Sequence, residues 1–171
     1  MLRLALPLLA FTLVAPQLVS QTVVSQTAVS QTKEPPVSNT STVAHHAHGT
    51  FTVKMQPPTA GPADGVARYS LDKQLSGDME GTSKGEMLSA GDPKQGVAGY
   101  VAIEVFTGTL AGKHGSFALQ HSATMDAAGY HMNIVITPGS GTGDFAGITG
   151  KFTIIIADGK HSYDLEYTLP Q

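Results

Sequence analysis

From about residue 48 onwards, apolar and polar residues alternate with a period of two, the pattern of a strand with one buried face. In the first such stretch, Phe51, Val53 and Met55 share one face, and the residues between them are polar. Segments rich in glycine and proline separate the stretches, and no convincing amphipathic helix lies between them. The pattern predicts about eight strands, at about 48–55, 67–75, 78–88, 97–110, 116–125, 130–137, 151–156 and 161–169.

Short connections between these strands predict consecutive hairpins, and Asp158-Gly159 is a strong hairpin signal. A meander of this kind exposes two edge strands unless the sheet closes on itself. We therefore predict an all-β fold, a single closed or nearly closed antiparallel barrel of about eight strands; a β-sandwich is the alternative. A barrel of eight strands is either filled by its own side chains or holds one small ligand.

The amino terminus has the features of a secretory signal peptide, predicted to span residues 1–20. A positive charge at Arg3 precedes an apolar run from Leu4 to Val14, and small residues near Ala15 and Ser20 suit cleavage. The run is shorter than the roughly 20 residues that cross a bilayer. We expect export to the periplasm or the extracellular space, with no stable membrane span after cleavage; an uncleaved membrane tether is the alternative.

A repeated Val-Ser-Gln-Thr motif follows the predicted signal, at residues 19–22, 24–27 and 29–32. Its period of five matches neither a helix nor a strand, and the segment is polar. We therefore predict a disordered linker over residues 21–43 and a β-barrel domain over residues 44–171.

Composition excludes several classes of function. The 171 residues suit one domain, the net charge is −3, and no basic cluster points to nucleic acid. The chain has no cysteine, which excludes disulfides, thiolate nucleophiles and cysteine-based zinc sites.

A glycine-rich stretch from Pro138 to Gly150 superficially resembles a dinucleotide-binding loop. That loop requires a following helix, whereas the β-branched run after Gly150 predicts a strand. We therefore expect no nucleotide and no cofactor, and we assign the stretch a structural role as a tight connection. Its glycines are Gly139, Gly141, Gly143, Gly147 and Gly150.

Three histidines, His45, His46 and His48, lie where the predicted linker meets the barrel. Neutral imidazoles bind metals well, and His46 and His48 would share a face of an extended strand. A mobile tract would not fix their geometry, however, and no carboxylate stands nearby in sequence. The sequence therefore favours a solvated cluster, and we expect no metal.

His121 belongs to the more apolar face of its predicted strand, which indicates that it points into the barrel. A buried imidazole needs a partner, and Glu104 on the preceding strand is the nearest candidate. The face of Glu104 is ambiguous, because its neighbours Val101, Ile103 and Val105 form the more apolar set. A histidine satisfied within the core is the alternative to a ligand contact. The candidate ligand-binding residues are His121, Gln120, Glu104, Tyr100 and Tyr163, and the catalytic residues are unknown.

Four segments, in order, resemble domain-of-unknown-function family 3224. They are His48–Val53, Leu75–Ser83, Thr107–His121 with its Gly-Ser-Phe-Ala-Leu-Gln-His, and Pro138–Gly150 with its Pro-Gly-Ser-Gly-Thr-Gly. The resemblance implies a barrel similar to those of allene oxide cyclase and dirigent proteins, whose relatives bind small apolar molecules and in some cases form oligomers. It assigns no catalytic residues, and fold likeness alone does not establish an activity.

Three functions therefore compete. The first is a non-enzymatic, exported barrel that binds a small, largely apolar molecule. The second is an isomerase or cyclase resembling allene oxide cyclase, with His121 and Glu104 at the reacting centre. The third is a structural module or a homo-oligomer, which a large apolar patch on the outer face of the barrel would favour.

Overall fold

The computed structural model describes residues 43–170, and all of the regular structure in that range is β-strand apart from one short 3-10 turn at Pro93–Gln95. No helix among these residues is long and apolar enough to cross a membrane. The predicted signal peptide and all but the last residue of the predicted linker lie outside the described residues. The strands are β1 His45–Met55, β2 Thr59–Ala60, β3 Val66–Gly77, β4 Met79–Asp92, β5 Val97–Leu110, β6 Lys113–Asp126, β7 Gly129–Ile136, β8 Thr142–Gly143, β9 Thr149–Ala157 and β10 Lys160–Thr168.

Eight of these strands form a closed antiparallel barrel. The strands β3 to β7 follow one another as a meander, β9 and β10 continue it, and β1 pairs with both β10 and β3 to close the sheet. The two short strands are additions, since β2 pairs with β3 and β8 pairs with β6. The prediction of a closed, all-β barrel of about eight strands is confirmed.

One seam of the barrel is much shorter than the others. The strands β7 and β9 share a single bridged pair, Val135 with Lys151. By contrast, β4 and β5 are paired along their whole length, from Met79 opposite Leu110 to Asp92 opposite Val97. The barrel is therefore a continuous wall except beside β7 and β9.

One end of the barrel is filled by aromatic and aliphatic side chains, and we call it the packed end. Phe106, Phe117 and Phe145 are fully buried there, with ring centroids 5.2 Å apart for the first two and 5.5 Å apart for the last two. Interlocked rings in contact at this spacing favour a rigid core. Further buried members of this core are Leu75, Met79, Leu110, Leu119, Ile148, Phe152, Tyr163 and Leu165.

The glycine-rich stretch closes the packed end. It inserts Phe145 and Ile148 into the core. Gly143 adopts a positive φ of 60°, and a Cβ on Gly141 would collide with the carbonyl oxygen of Phe145. The strand β9, rather than a helix, follows the stretch, as predicted.

Candidate functional site

Three charged or titratable side chains meet inside the barrel, between the packed end and the opposite mouth. The carboxylate of Glu104 accepts hydrogen bonds at Oε1 from Lys73 Nζ at 2.6 Å and from His121 Nε2 at 2.9 Å. All three side chains are buried, and Glu104 is only 1% exposed. We call Lys73, Glu104 and His121 the buried triad.

The strand order explains how these residues meet. Glu104 on β5 lies opposite Leu119 on β6, which places His121 one diagonal step away on the same face. Lys73 comes from β3 and must cross β4 to reach Glu104. It can do so because β4 presents Ser83 and Gly85 at that level, and a Cβ on Gly85 would lie 2.6 Å from the Glu104 Cβ.

Opposing effects act on the Glu104 carboxyl. Burial disfavours its charged form, but the hydrogen bond from His121 and the positive charge of Lys73 outweigh burial and hold the pKa of Glu104 below its ordinary value. The carboxylate is therefore ionised at neutral pH and can only accept hydrogen bonds. Nε2 of His121 must then carry a proton, because it lies on this acceptor.

A cavity of about 340 Å³ lies above the triad and opens at the mouth of the barrel. Lys73 and His121 line its floor, whereas Glu104 lies behind them. Four of the six methionines of the chain line its walls. Methionine is flexible and polarisable, so these walls can adapt to ligands of different shape. The larger aliphatic lining residues, with Phe51, are Val53, Met55, Leu71, Met87, Met125, Met132, Ile154 and Ile156.

Three tyrosines line this cavity, Tyr69, Tyr100 and Tyr130, and the last two contact each other. The Tyr130 hydroxyl donates a long hydrogen bond of 3.4 Å to the Tyr100 hydroxyl, and the Tyr100 ring lies 6.5 Å from that of His121. Burial, and then the contact with Tyr130, raise the pKa of Tyr100 well above its ordinary value. Tyr100 therefore stays a neutral hydroxyl, able to hydrogen-bond to a ligand.

A larger depression of about 660 Å³ lies near the ends of β4 to β7 and is widely open to solvent. It shares six lining residues with the inner cavity, Tyr100 and Ala123 among them, but includes no member of the buried triad. A ligand site needs convergent polar groups within an enclosing apolar wall, so the inner cavity is the better candidate.

The structure brings His121 and Glu104 into direct contact inside the barrel and places Tyr100 on the cavity wall. The ambiguity over Glu104 is resolved because Val101, Ile103 and Val105 point outwards and are 44–56% exposed. Their contact with a ligand stays a prediction.

Two of the candidate residues do not line the cavity. Gln120 is exposed on the outer face, because neighbouring residues of β6 point to opposite sides of the sheet. Tyr163 lies in the packed end, where its ring stacks on Phe152 and its hydroxyl accepts a hydrogen bond from the Met79 amide at 2.9 Å. Neither residue is placed to contact a molecule in the cavity.

Sequence reasoning missed Lys73. The signal was present, since Lys73 alternates with Leu71 and Leu75 and therefore belongs to the inward face of β3. A lysine inside a barrel is uncommon unless it is paired. Its partner is on β5, which is not the neighbouring strand, and alternation within one strand gives no information about that contact.

The fold and the cavity together define a class: small antiparallel β-barrels with a partly filled interior and a cavity that opens at one mouth. A sequence model of the family described as "Protein of unknown function (DUF3224)" matches residues 47–167. This chain belongs to the DUF3224 family.

A solved structure supports this assignment. The chain is similar to a DUF3224-family protein of unknown function from Shewanella oneidensis MR-1, whose crystal structure aligns with a TM-score of 0.69 and 37% sequence identity. The alignment covers 75% of this chain and 99% of the Shewanella chain. A search of curated proteins found no match to this chain.

Proposed function

We propose that this protein is an exported binding barrel for a small, largely apolar molecule that carries an oxygen acceptor at one end. The observation that carries the proposal is the inner cavity, in which adaptable apolar walls lead down to a floor of Lys73 and His121. Export rests on the amino-terminal sequence alone.

The walls favour an apolar body. Burying apolar surface contributes about 25 cal/mol per Å², so a chain or ring that fills the cavity gains most of its affinity there. A volume of about 340 Å³ lies near the lower end of the range for small-molecule sites, about 300–1,000 Å³, which suits a small molecule rather than a peptide.

The floor favours an acceptor, and a carboxylate in particular. Lys73 makes one hydrogen bond, to Glu104, so its ammonium has donors to spare for a second acceptor. Glu104 lies behind this ammonium and partly offsets its charge, so neutral carbonyl or hydroxyl oxygens are also suitable ligands.

Binding can be tested by calorimetric titration with decanoate, decanol and decylamine, which share an apolar chain and differ at the head. We expect decanoate to bind most tightly and decylamine least, because the ammonium of decylamine would meet the Lys73 ammonium. Native mass spectrometry of protein purified gently from the exported fraction of its host would reveal a retained ligand directly.

A matched pair of variants on β6 tests whether binding needs the inner face of this strand. Ala123→Phe would fill the cavity, since Ala123 lines it, whereas Gln120→Phe adds the same side chain to the outer face. We expect the first variant to abolish binding and the second to bind like the wild type. Binding that survives Ala123→Phe would place the ligand elsewhere, and a wild type that binds none of the three probes would contradict the proposal.

A second candidate function, an isomerase or cyclase, is favoured by one observation: Glu104 holds His121 by Nε2, while His121 also lines the cavity. In that tautomer Nδ1 carries the lone pair and has no hydrogen-bond partner among residues 43–170. It could take a proton from carbon next to a carbonyl, while Lys73 stabilises the oxyanion that forms.

This candidate predicts uptake of deuterium from heavy water at the α-carbons of a bound ketone such as methyl octyl ketone. His121→Gln should stop the exchange and leave binding of the ketone intact. A wild type that binds the ketone without exchange would exclude this proton transfer, but it would agree with the proposal of a binding barrel.

The homo-oligomer stays a prediction, and the outer face of β5 supports it. Val97, Val101, Ile103 and Val105 form an apolar stripe there, each 44–56% exposed. Light scattering coupled to size exclusion would show an oligomer in the wild type that dissociates in Ile103→Lys. A monomeric wild type would contradict the prediction.

A further inference from the structure

Two histidines and one carboxylate converge on the outer surface of the barrel, on β1 and β10. His46 and His48 are two residues apart and share the outer face of β1, and Asp164 is the cross-strand neighbour of His48. Asp164 Oδ1 lies 3.0 Å from His46 Nδ1 and 3.7 Å from His48 Nδ1. Ligand atoms of the three residues lie within 4.8 Å of one another.

Two imidazoles and one carboxylate are a common ligand set for first-row divalent metals. Zinc sites with three protein ligands use it and complete their coordination with water, and non-haem iron sites use a similar set. Bond lengths to zinc are about 2.0–2.2 Å, so two ligand atoms on one ion are at most about 4.4 Å apart. The exposed imidazoles need only small rotations to meet this limit.

The backbone that carries these residues is paired to β10, and its other side is held at His48. The strand β1 is paired to β10 from His45 to Phe51 and to β3 from Gly49 onwards. The His48 amide also donates a hydrogen bond of 2.7 Å to Asp78 Oδ2. Ligands on paired strands are positioned more precisely than ligands on a loop, so little ordering is left for the metal to impose.

The surrounding charge favours a cation. Glu166 lies opposite His46 on the outer face of β10, and Asp78 approaches the backbone of His48. Lys151 lies opposite Glu166 on β9 and opposes this effect in part. His45 belongs to the other face of β1, where its ring packs 5.4 Å from that of Tyr167.

We propose that His46, His48 and Asp164 form a binding site for a divalent transition metal, with zinc the ion that the ligand set fits best. The sequence favoured a solvated cluster, because the histidines were expected to lie in a mobile tract and no carboxylate stands nearby in sequence. The structure supplies a fixed geometry and a carboxylate, since His46 and His48 lie in a paired strand and Asp164 comes from the far end of the chain. The site is on the outside of the barrel and does not depend on the proposed ligand cavity.

Zinc binding should be measured on the tag-free mature protein by calorimetry and by competition with a chromophoric chelator. We expect one zinc ion per chain. His46→Ala, His48→Ala and Asp164→Asn should each weaken it by at least about tenfold, the smallest loss expected when a metal site is disturbed. His45→Ala is the matched control, because it removes a neighbouring imidazole from the opposite face, and it should bind like the wild type.

Cobalt(II) provides a second measurement that does not rely on affinity. A cobalt-loaded wild type should show the intense visible absorption of a four-coordinate ion, and His48→Ala should lose it. Two results would overturn the proposal: a wild type that binds no stoichiometric zinc, or zinc that His45→Ala weakens as much as His48→Ala does, which marks adventitious binding. Circular dichroism would confirm that each variant is folded.

Discussion

The two ends of the barrel interior differ although the same strands build both. At the packed end, Phe106, Phe117 and Phe145 interlock and the glycine-rich stretch closes the barrel. At the mouth, four methionines lie among the inward-facing residues, and a cavity is left. The buried triad lies at the boundary. The comparison teaches that alternation determines which residues face inwards, whereas side-chain shape determines whether the interior is solid.

Truncating one side chain at each end tests most directly whether the two ends differ in packing. Phe145→Ala should lower the free energy of unfolding by about 3–5 kcal/mol, because it opens a hole in a fully buried aromatic cluster. Met125→Ala at the cavity should cost about 1 kcal/mol, since Met125 is only half-buried there. Urea denaturation measures both, and equal losses would show that the two ends are packed alike.

The second prediction concerns the buried triad, which lies between the packed end and the mouth. Lys73→Met should cost about 3 kcal/mol, because the carboxylate of Glu104 would stay buried without its cation. The double variant Lys73→Met with Glu104→Gln should recover most of that loss, since no buried charge is left uncompensated. Urea denaturation of both variants tests this, and a double variant less stable than Lys73→Met would contradict it.

Two tyrosines, one at each end, allow a matched comparison in which the expected losses of stability are smaller. Tyr163→Phe should cost about 1–3 kcal/mol, because it leaves the buried Met79 amide without its acceptor. Tyr100→Phe should cost less than about 1 kcal/mol, because it removes only a 3.4 Å contact at the rim. Thermal denaturation of the two variants measures both losses of stability. A larger loss for Tyr100→Phe than for Tyr163→Phe would contradict the prediction.

The smallest expected effect is a dependence of stability on acid. The pKa of Glu104 is lowered in the folded state, so its ionised form stabilises the fold above the ordinary glutamate pKa, and that stability is lost as the pH falls through the lowered value. Burial opposes the lowering, which keeps the net effect modest. Urea titrations between about pH 5 and pH 3 should show a steeper loss for the wild type than for Glu104→Gln; parallel curves would argue against this account.

Much of the fold follows from local pattern, and much of the site does not. Alternation and turn residues located the strands, and the inward face of His121 could be predicted from Phe117 and Leu119 on the same strand. Glu104 was ambiguous because a barrel wall can leave valine and isoleucine exposed, as at Val101 and Ile103. Which face of an amphipathic strand turns inwards depends on the whole closed sheet.

Contacts between strands far apart in sequence could not be predicted from the pattern within each strand. Lys73 reaches Glu104 across β4, and Asp164 meets His48 only because the last strand pairs with the first. Both contacts depend on the register of long-range pairing, which is set by the closure of the barrel rather than by neighbours in sequence.

The single bridge between β7 and β9 affects how readily solvent reaches the backbone beside the cavity. Met132 and Ile154 line the cavity on either side of this seam, beyond the Val135–Lys151 bridge. There β7 is paired to β6 and β9 to β10, but no hydrogen-bonded ladder joins β7 to β9. We therefore expect backbone amides of β7 to exchange with deuterium sooner than those of β5, which is paired along both of its sides.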